Sequence, residues 1–348
     1  MTSIQRKNIA LSFLFSFILT GNLLGQKNLP AVEVLTSGTK TSLRGISVVN
    51  DNIVWVSGSN GTVGKTTNGG KNWKWVTVKG FEKSDFRDIE AFDAVSAVII
   101  SVAEPGYILK TNDGGESWKV VYENKTKGMF LDAMEFWNEQ SGIVIGDPID
   151  GRFFITRSFD GGTTWQDIPF ENRPMADSGE ACFAASGTNI RALDRDEAVF
   201  VSGGMRSRLF TKNQPVTLPI IQGKETTGAN SIAVYDHFKL KGGKRMIVVG
   251  GDFNADSSSL KNCFYTSDGG KSWNAPRTPP HGYRSCVEYL SKKDIISCGL
   301  TGVDYSFDGG KNFSLISKES FHTVRIAKLG ETIYLAGGNG KVGKLVWK

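Results

Sequence analysis

Histidine and cysteine are scarce in this chain of 348 residues, with 3 of the first and 4 of the second, and proline, at 10 residues, is far outnumbered by 41 glycines. The histidines, His237, His281 and His322, lie far apart in sequence. No Cys-x-x-Cys pair is present, so a metal site is not expected. Four cysteines, Cys182, Cys263, Cys286 and Cys298, are too few to build a disulfide scaffold. Only Cys286 and Cys298 invite pairing. A turn centred on Lys292 sets them opposite each other on adjacent strands, where two reduced thiols and a bridge are both open. There is no dense Lys/Arg run, and a net charge of +6 argues for no nucleic-acid partner. Each Gly-Gly pair belongs to a turn signal rather than to a strand-to-helix junction, so no nucleotide cofactor is expected, and none of any other kind.

Long apolar runs are also lacking, with one exception. Residues 9–19 are apolar, preceded by Arg6 and Lys7 and followed by Thr20, Gly21, Asn22 and Gly25. The run falls short of the roughly 20 residues that span a bilayer. It has the form of a secretory signal peptide over residues 1–25, with the mature chain starting at Gln26 and no membrane span in it. The expected destination is the periplasm or the exterior, as a monomer, and loss of the leader lowers the net charge to +4.

What is abundant is a repeated phrase. Thr67-Asn68-Gly69-Gly70-Lys71-Asn72-Trp73 recurs with small changes around Asp113, Asp160, Asp268 and Asp308, closed by Trp118, Trp165, Trp273 and Phe313. The spacing is 40 to 47 residues except for one interval of 108, which has room for a worn copy, found at Asn213 without its glycines. An Asp or Asn side chain accepts hydrogen bonds from N–H groups just ahead of it, the glycines take positive φ, and the closing indole buries apolar surface. The phrase is thus a hairpin staple, and Asn68, Asp113, Asp160, Asp268 and Asp308 are read as structural. Three short strand-like runs precede each staple and one follows it. Four strands per period make a propeller blade. Blade starts at Arg44, Arg87, Leu131, Glu180, Asn230, Arg284 and near Val324 count seven. The last unit lacks a fourth strand, which residues 31–36 are expected to supply. The predicted fold is therefore all-β, one seven-bladed propeller of four-stranded antiparallel blades over residues 26–348, closed by an N-terminal strand.

With five Asp boxes and the recurring openings Arg44-Gly45-Ile46, Arg87-Asp88-Ile89 and Arg284-Ser285-Cys286, the chain resembles the BNR/Asp-box proteins, in particular the Ycf48/Hcf136-like photosystem II assembly factors. The resemblance implies a non-enzymatic propeller that assists assembly of a partner protein. Asp boxes also occur in sialidases, xyloglucan hydrolases and sortilin-type receptors, so the resemblance is specific for fold rather than for function.

In a four-stranded blade the entry to the first strand and the second-to-third loop share one face, opposite the Asp boxes. On that channel face the blade openings place Arg44, Arg87, Asp132, Glu180, Asn230, Arg284 and Arg325. The loops add Glu104, Asp147, Asp150, Arg206 and Asp252, and Tyr283 lies beside Arg284. Arginines around a narrow opening offer forked donors for a carboxylate or phosphate. An acidic ligand or a protein partner is the first reading. Pairing of each arginine with a neighbouring carboxylate is the structural alternative. A second functional reading is an extracellular glycoside hydrolase with Asp147, Glu180 and Asp252 as its carboxylates, or a sialidase-like pair of Tyr283 and Glu180.

Overall fold

The computed structural model describes residues 29–347 apart from 195, 238, 240 and 241; the expected signal peptide of residues 1–25 lies outside the described residues. Seven antiparallel sheets follow one another along the chain as blades around an axis, as expected. Their inner strands are Leu43–Val48, Phe86–Ala91, Leu131–Phe136, Ile190–Ala192, Thr227–Val234, Cys286–Tyr289 and Thr323–Ile326. Alternation along each strand sends side chains into the two flanking inter-blade layers, and each layer is a core of its own. Between blades 1 and 2, for example, Trp55, Phe86, Ile99 and Leu109 pack together with Trp118 against them.

The Asp boxes behave as staples. In the second blade the Asp113 carboxylate accepts from Ser117 N at 3.0 Å, and Thr111 Oγ1 accepts from Gly115 N at 3.0 Å. Gly114 and Gly115 hold φ of 78° and 84°, a region that residues with a Cβ resist. Hydrogen bonds, that from the Ser117 hydroxyl first, hold the Asp113 carboxyl at about 2. Each box hooks onto the first-to-second loop of its own blade, as Gly69 N does on Asn52 O and Gly309 N on Lys293 O. Neighbouring blades are tied through carbonyls of the boxes themselves, with Lys65 Nζ on Gly114 O at 2.7 Å and Lys110 Nζ on Gly161 O at 2.8 Å. At the worn copy only the Asn213 N to Thr211 Oγ1 bond survives.

Blades 4 and 5 depart from the expected pattern. Glu180 does not open blade 4. It lies in the short strand Glu180–Ala181, which pairs with Gly203–Gly204 and through it with Thr227–Val234 of blade 5. The inner strand of blade 4 begins ten residues later, and the intervening segment is used elsewhere. Blade 5 has lost its fourth strand to a single Tyr265↔Asn274 bridge.

Ring closure follows the expectation. Ala31–Thr36 pairs antiparallel with Val342–Val346, with Ala31 opposite Val346 and Thr36 opposite Val342. Val32 packs on the core between blades 6 and 7, and Leu35 on the core between blades 7 and 1. Deleting residues 31–36 removes both contacts and one ladder, and is expected to cost roughly 3 kcal/mol or more. Denaturant unfolding monitored by tryptophan fluorescence tests this; an unchanged midpoint would contradict closure by this strand.

Candidate functional site

Height along the inner strand decides where a side chain goes, and the ladder registers fix the heights. Gly45 pairs with Ser57, Asp88 with Ile100, Ala133 with Ile145, Ser231 with Val249, Cys286 with Cys298 and Thr323 with Ala336. The residue before each forms an upper tier, in which His322, Arg44, Arg87 and Asp132 follow one another around blades 7, 1, 2 and 3. Asn230 belongs to the same tier. Three residues further down, a lower tier contains Glu90, Glu135, Arg191, Glu288 and Arg325.

This register corrects two expected positions. Arg284 stands one residue before the tier of Arg44, at the height of Leu43 and Phe86, so it points into the wall between blades. It is fully buried, paired with Asp304 and donating to Thr301 Oγ1 at 2.8 Å. His281 Nδ1 also meets Asp304, at 2.6 Å. Arg325 stands three residues below the upper tier and belongs to the opposite end of the channel.

Between the tiers lies a feature that the repeat pattern did not announce. Residues 184–188, Ala-Ala-Ser-Gly-Thr, run through the channel on their way into blade 4. Arg44 Nη1 donates to Ala185 O and Arg87 Nη1 to Ala184 O, each at 3.3 Å. Ser186 Oγ donates to Ser285 O at 2.7 Å, Thr323 Oγ1 to Ser186 O at 3.1 Å, and Arg325 Nη2 to Gly187 O at 3.1 Å. Thr188 Oγ1 reaches Ser231 Oγ at 2.6 Å. One segment bonded to blades 1, 2, 5, 6 and 7 must sit on the axis. Small side chains are required there, because a Cβ on Gly187, whose φ is 65°, would collide with the Asp88 carboxylate. The run of small residues is the one sequence signal of this plug.

Above the plug, Arg44 and Arg87 form a half-buried pair. Arg87 Nε is matched by Asp85 at 2.8 Å. Arg44 has no carboxylate within ion-pair distance among the described residues. Burial, and then the charge of Arg87, pull its guanidinium below the ordinary arginine value. Burial and the same two arginines hold the neighbouring His322 at about 3, so it is neutral.

The acids of this face are mostly occupied. Glu180 is enclosed, gripped by Arg208 and by the Ser202 hydroxyl, which leaves no oxygen for a sugar and undercuts its expected hydrolytic role. Asp252 accepts from Thr226 Oγ1 at 2.8 Å and Asn254 N at 3.0 Å. Arg206 pairs with Asp177 at 3.0 Å, and Glu104 accepts from Gly128 N at 2.7 Å. Asp150 is an exposed turn residue with φ of 51°. Tyr283 is buried and donates to Asn230 Oδ1 at 2.7 Å, so it is no exposed nucleophile. Cys286 and Cys298 do face each other across the ladder, and all four cysteines are free thiols.

Asp132 and Asp147 are different. Neither carboxylate oxygen of the fully buried Asp132 finds a hydrogen-bond partner. Burial, and then the charge of Asp147, push it well above the usual carboxylate range. Asp147 accepts from Cys182 N at 2.9 Å, and burial raises it to about 6. It lines an open surface pocket of about 610 Å³ with Gly128, Asp177 and Glu180.

A family model described as the photosynthesis system II assembly factor YCF48 matches residues 26–129. A structure of YCF48 bound to D1 peptide is 16% identical, with a TM-score of 0.64 over 91% of this chain and 97% of that one. Over residues 26–129 the chain resembles the YCF48 family, and over most of its length it shares the YCF48 fold. YCF48 from Cyanidioschyzon merolae is likewise 16% identical, with a TM-score of 0.65 over 91% of this chain and 99% of that one. The fold is shared more widely, since U3-55K, 11% identical, matches with a TM-score of 0.63 over 91% of this chain and 98% of its own. No curated protein matches the chain by sequence.

Raised carboxyls make a signed prediction. Stability from neutral Asp147 and Asp132 is fully present below the unfolded value near 4 and is lost as pH rises, for Asp147 through about 6. A double Asp132→Asn, Asp147→Asn variant is expected to lose less stability between pH 5 and pH 8 than the parent, by on the order of 3 °C in Tm. Thermal melts at the two pH values decide it, and equal declines would refute the assignment.

Proposed function

We propose that this chain is an exported, non-enzymatic interaction propeller that receives an acidic segment of a partner protein on the face where Arg44 and Arg87 meet. The observation that carries the reading is Arg44 itself, a half-buried guanidinium beside a second arginine with no carboxylate of its own among the described residues. A cation held this way is stabilised by an incoming anion, and the fork of a guanidinium suits a carboxylate. A similar propeller, YCF48, has been solved with a D1 peptide bound, which supports a peptide as the ligand class here. Apolar side chains on the same face, Met205, Phe253, Leu260 and Leu300, are exposed and would contribute the apolar part of such an interface.

Isothermal titration of the mature chain with an acidic peptide carrying a free C-terminal carboxylate tests the reading. Arg44→Glu and Arg87→Glu are each expected to weaken binding by at least about tenfold. The affinity of the parent should fall as salt is raised. Binding that is indifferent to both reversals, in variants that melt like the parent, would overturn the proposal.

Export rests on residues 1–25. N-terminal sequencing of the protein recovered outside the cytoplasm is expected to begin at Gln26. Recovery from the cytoplasm with the leader intact would refute it.

A further inference from the structure

Below the plug the channel widens into a chamber of about 580 Å³ that opens on the Asp-box face. Its volume falls in the range of small-molecule sites. The plug separates it from the Arg44 face, so whatever occupies it is a different matter from the partner proposed above.

The lower tier supplies its charges. Arg191, 7% exposed, reaches Glu288 at 2.9 Å and Glu135 at only 3.6 Å. Lys328 is paired with Glu90 and donates to Ala91 O at 2.9 Å. Two groups are left over. The Glu135 carboxylate is 22% exposed, and its ion pair with Arg191 is too long for a hydrogen bond. Burial, with the charge of Glu90 adding to it and Arg191 and Arg325 opposing, raises it above the ordinary glutamate value. Arg325 has no carboxylate within ion-pair distance among the described residues; its Nη2 donates to Gly187 O and its Nη1 to Val324 O, Thr323 Oγ1 and Cys286 Sγ, which leaves Nε without one of these neutral partners. Glu135 belongs to blade 3 and Arg325 to blade 7, with two blades between them on one side and three on the other. They therefore face each other across the axis, too far apart to pair. Val48, Phe136, Val234 and Ile326 give the wall an apolar stretch, beside Ser47, Asn138 and His237.

Glu135, whose counter-ion Arg191 stands beyond hydrogen-bond reach, and Arg325, with no carboxylate within ion-pair distance among the described residues, are both under-compensated in a poorly solvated space. A bare anion would meet Glu90, Glu135, Glu139 and Glu288 there, and a bare cation would meet Arg191, Arg325 and Lys328. We infer that the chamber is a binding site for a small zwitterion, with its ammonium on Glu135, its carboxylate on Arg325 and an apolar stretch between the two. Lys328 added to the lower tier brings its three acids and two bases to balance around such a ligand, and Glu135 and Arg325 each acquire a charge-assisted hydrogen bond.

Titration calorimetry on the mature chain with ω-amino acids from 4-aminobutanoate to 6-aminohexanoate is the test, with hexylamine and hexanoate as single-charge controls. At least one member of the series should bind, and each control should be weaker by about tenfold or more. Glu135→Gln, which keeps the side-chain volume, and Arg325→Met should each weaken the best ligand by a similar factor. Two results would overturn the inference: no heat from any ω-amino acid at about 10 mM, or binding that neither variant affects. Loss on Arg325→Met alone would also count against it, because Arg325 holds the plug and that variant can act through Gly187.

Discussion

Pairing of the first described strand with the last is the interaction on which the rest of this molecule depends. Seven blades stacked in an open row would expose a sheet at each end and enclose nothing. Once Ala31–Thr36 closes on Val342–Val346, blade 7 is fixed against blade 1 through the core that holds Leu35, Val54 and Tyr334. The inner strands then share an axis, and a residue's height on its strand becomes its address in the channel. Chemistry in this fold is assigned by register more than by residue type.

Arg44, Arg284 and Arg325 illustrate that dependence. All three begin a blade in the sequence, which by itself assigns them to one face. The pairing of Gly45 with Ser57 and of Cys286 with Cys298 puts Arg284 one residue above Arg44, which turns its side chain into the blade wall and onto Asp304. Three residues in the other direction carry Arg325 past the plug. Period and staple chemistry made the blades, their number and the closing strand legible, because these repeat. A one-residue offset does not show in a repeat search, since bulges near Leu43, Phe86 and Leu131 shift the count locally. The tiers become visible only when partners across each ladder are known.

Blade 4 hid the plug for a related reason. The interval of 108 residues between Asp boxes contains the least regular part of the wheel, and in sequence its opening at Glu180 resembles another blade start. The chain instead uses residues 184–188 to cross the axis. A backbone that leaves its sheet in a buried place must find new partners for its N–H and C=O groups. Arg44, Arg87, Thr323 and Arg325 provide donors for four consecutive carbonyls, Ala184 through Gly187. The arginine-rich openings are thus partly explained by the plug. That role engages Nη1 of the Arg44 guanidinium and leaves most of its N–H groups for another acceptor.

Why the upper charge is left uncompensated is then a question about the nearby acids. Asp132 follows Arg87 around the tier and Asp88 comes directly after the same arginine on its strand, yet neither neutralises the pair. Asp88 spends both oxygens on the backbone N–H groups of Ile89 and Met134, and burial pushes it up to about 8. Asp132 is enclosed and unpartnered, next to Asp147, and burial keeps it protonated as well. A carboxyl that holds its proton offers almost no Coulombic attraction to a guanidinium a few ångströms away. By sinking its acids below the surface and leaving Arg44 half exposed, the mouth keeps a positive field without needing an excess of basic residues. A net charge of only +6 for the whole chain is consistent with a locally strong anion site.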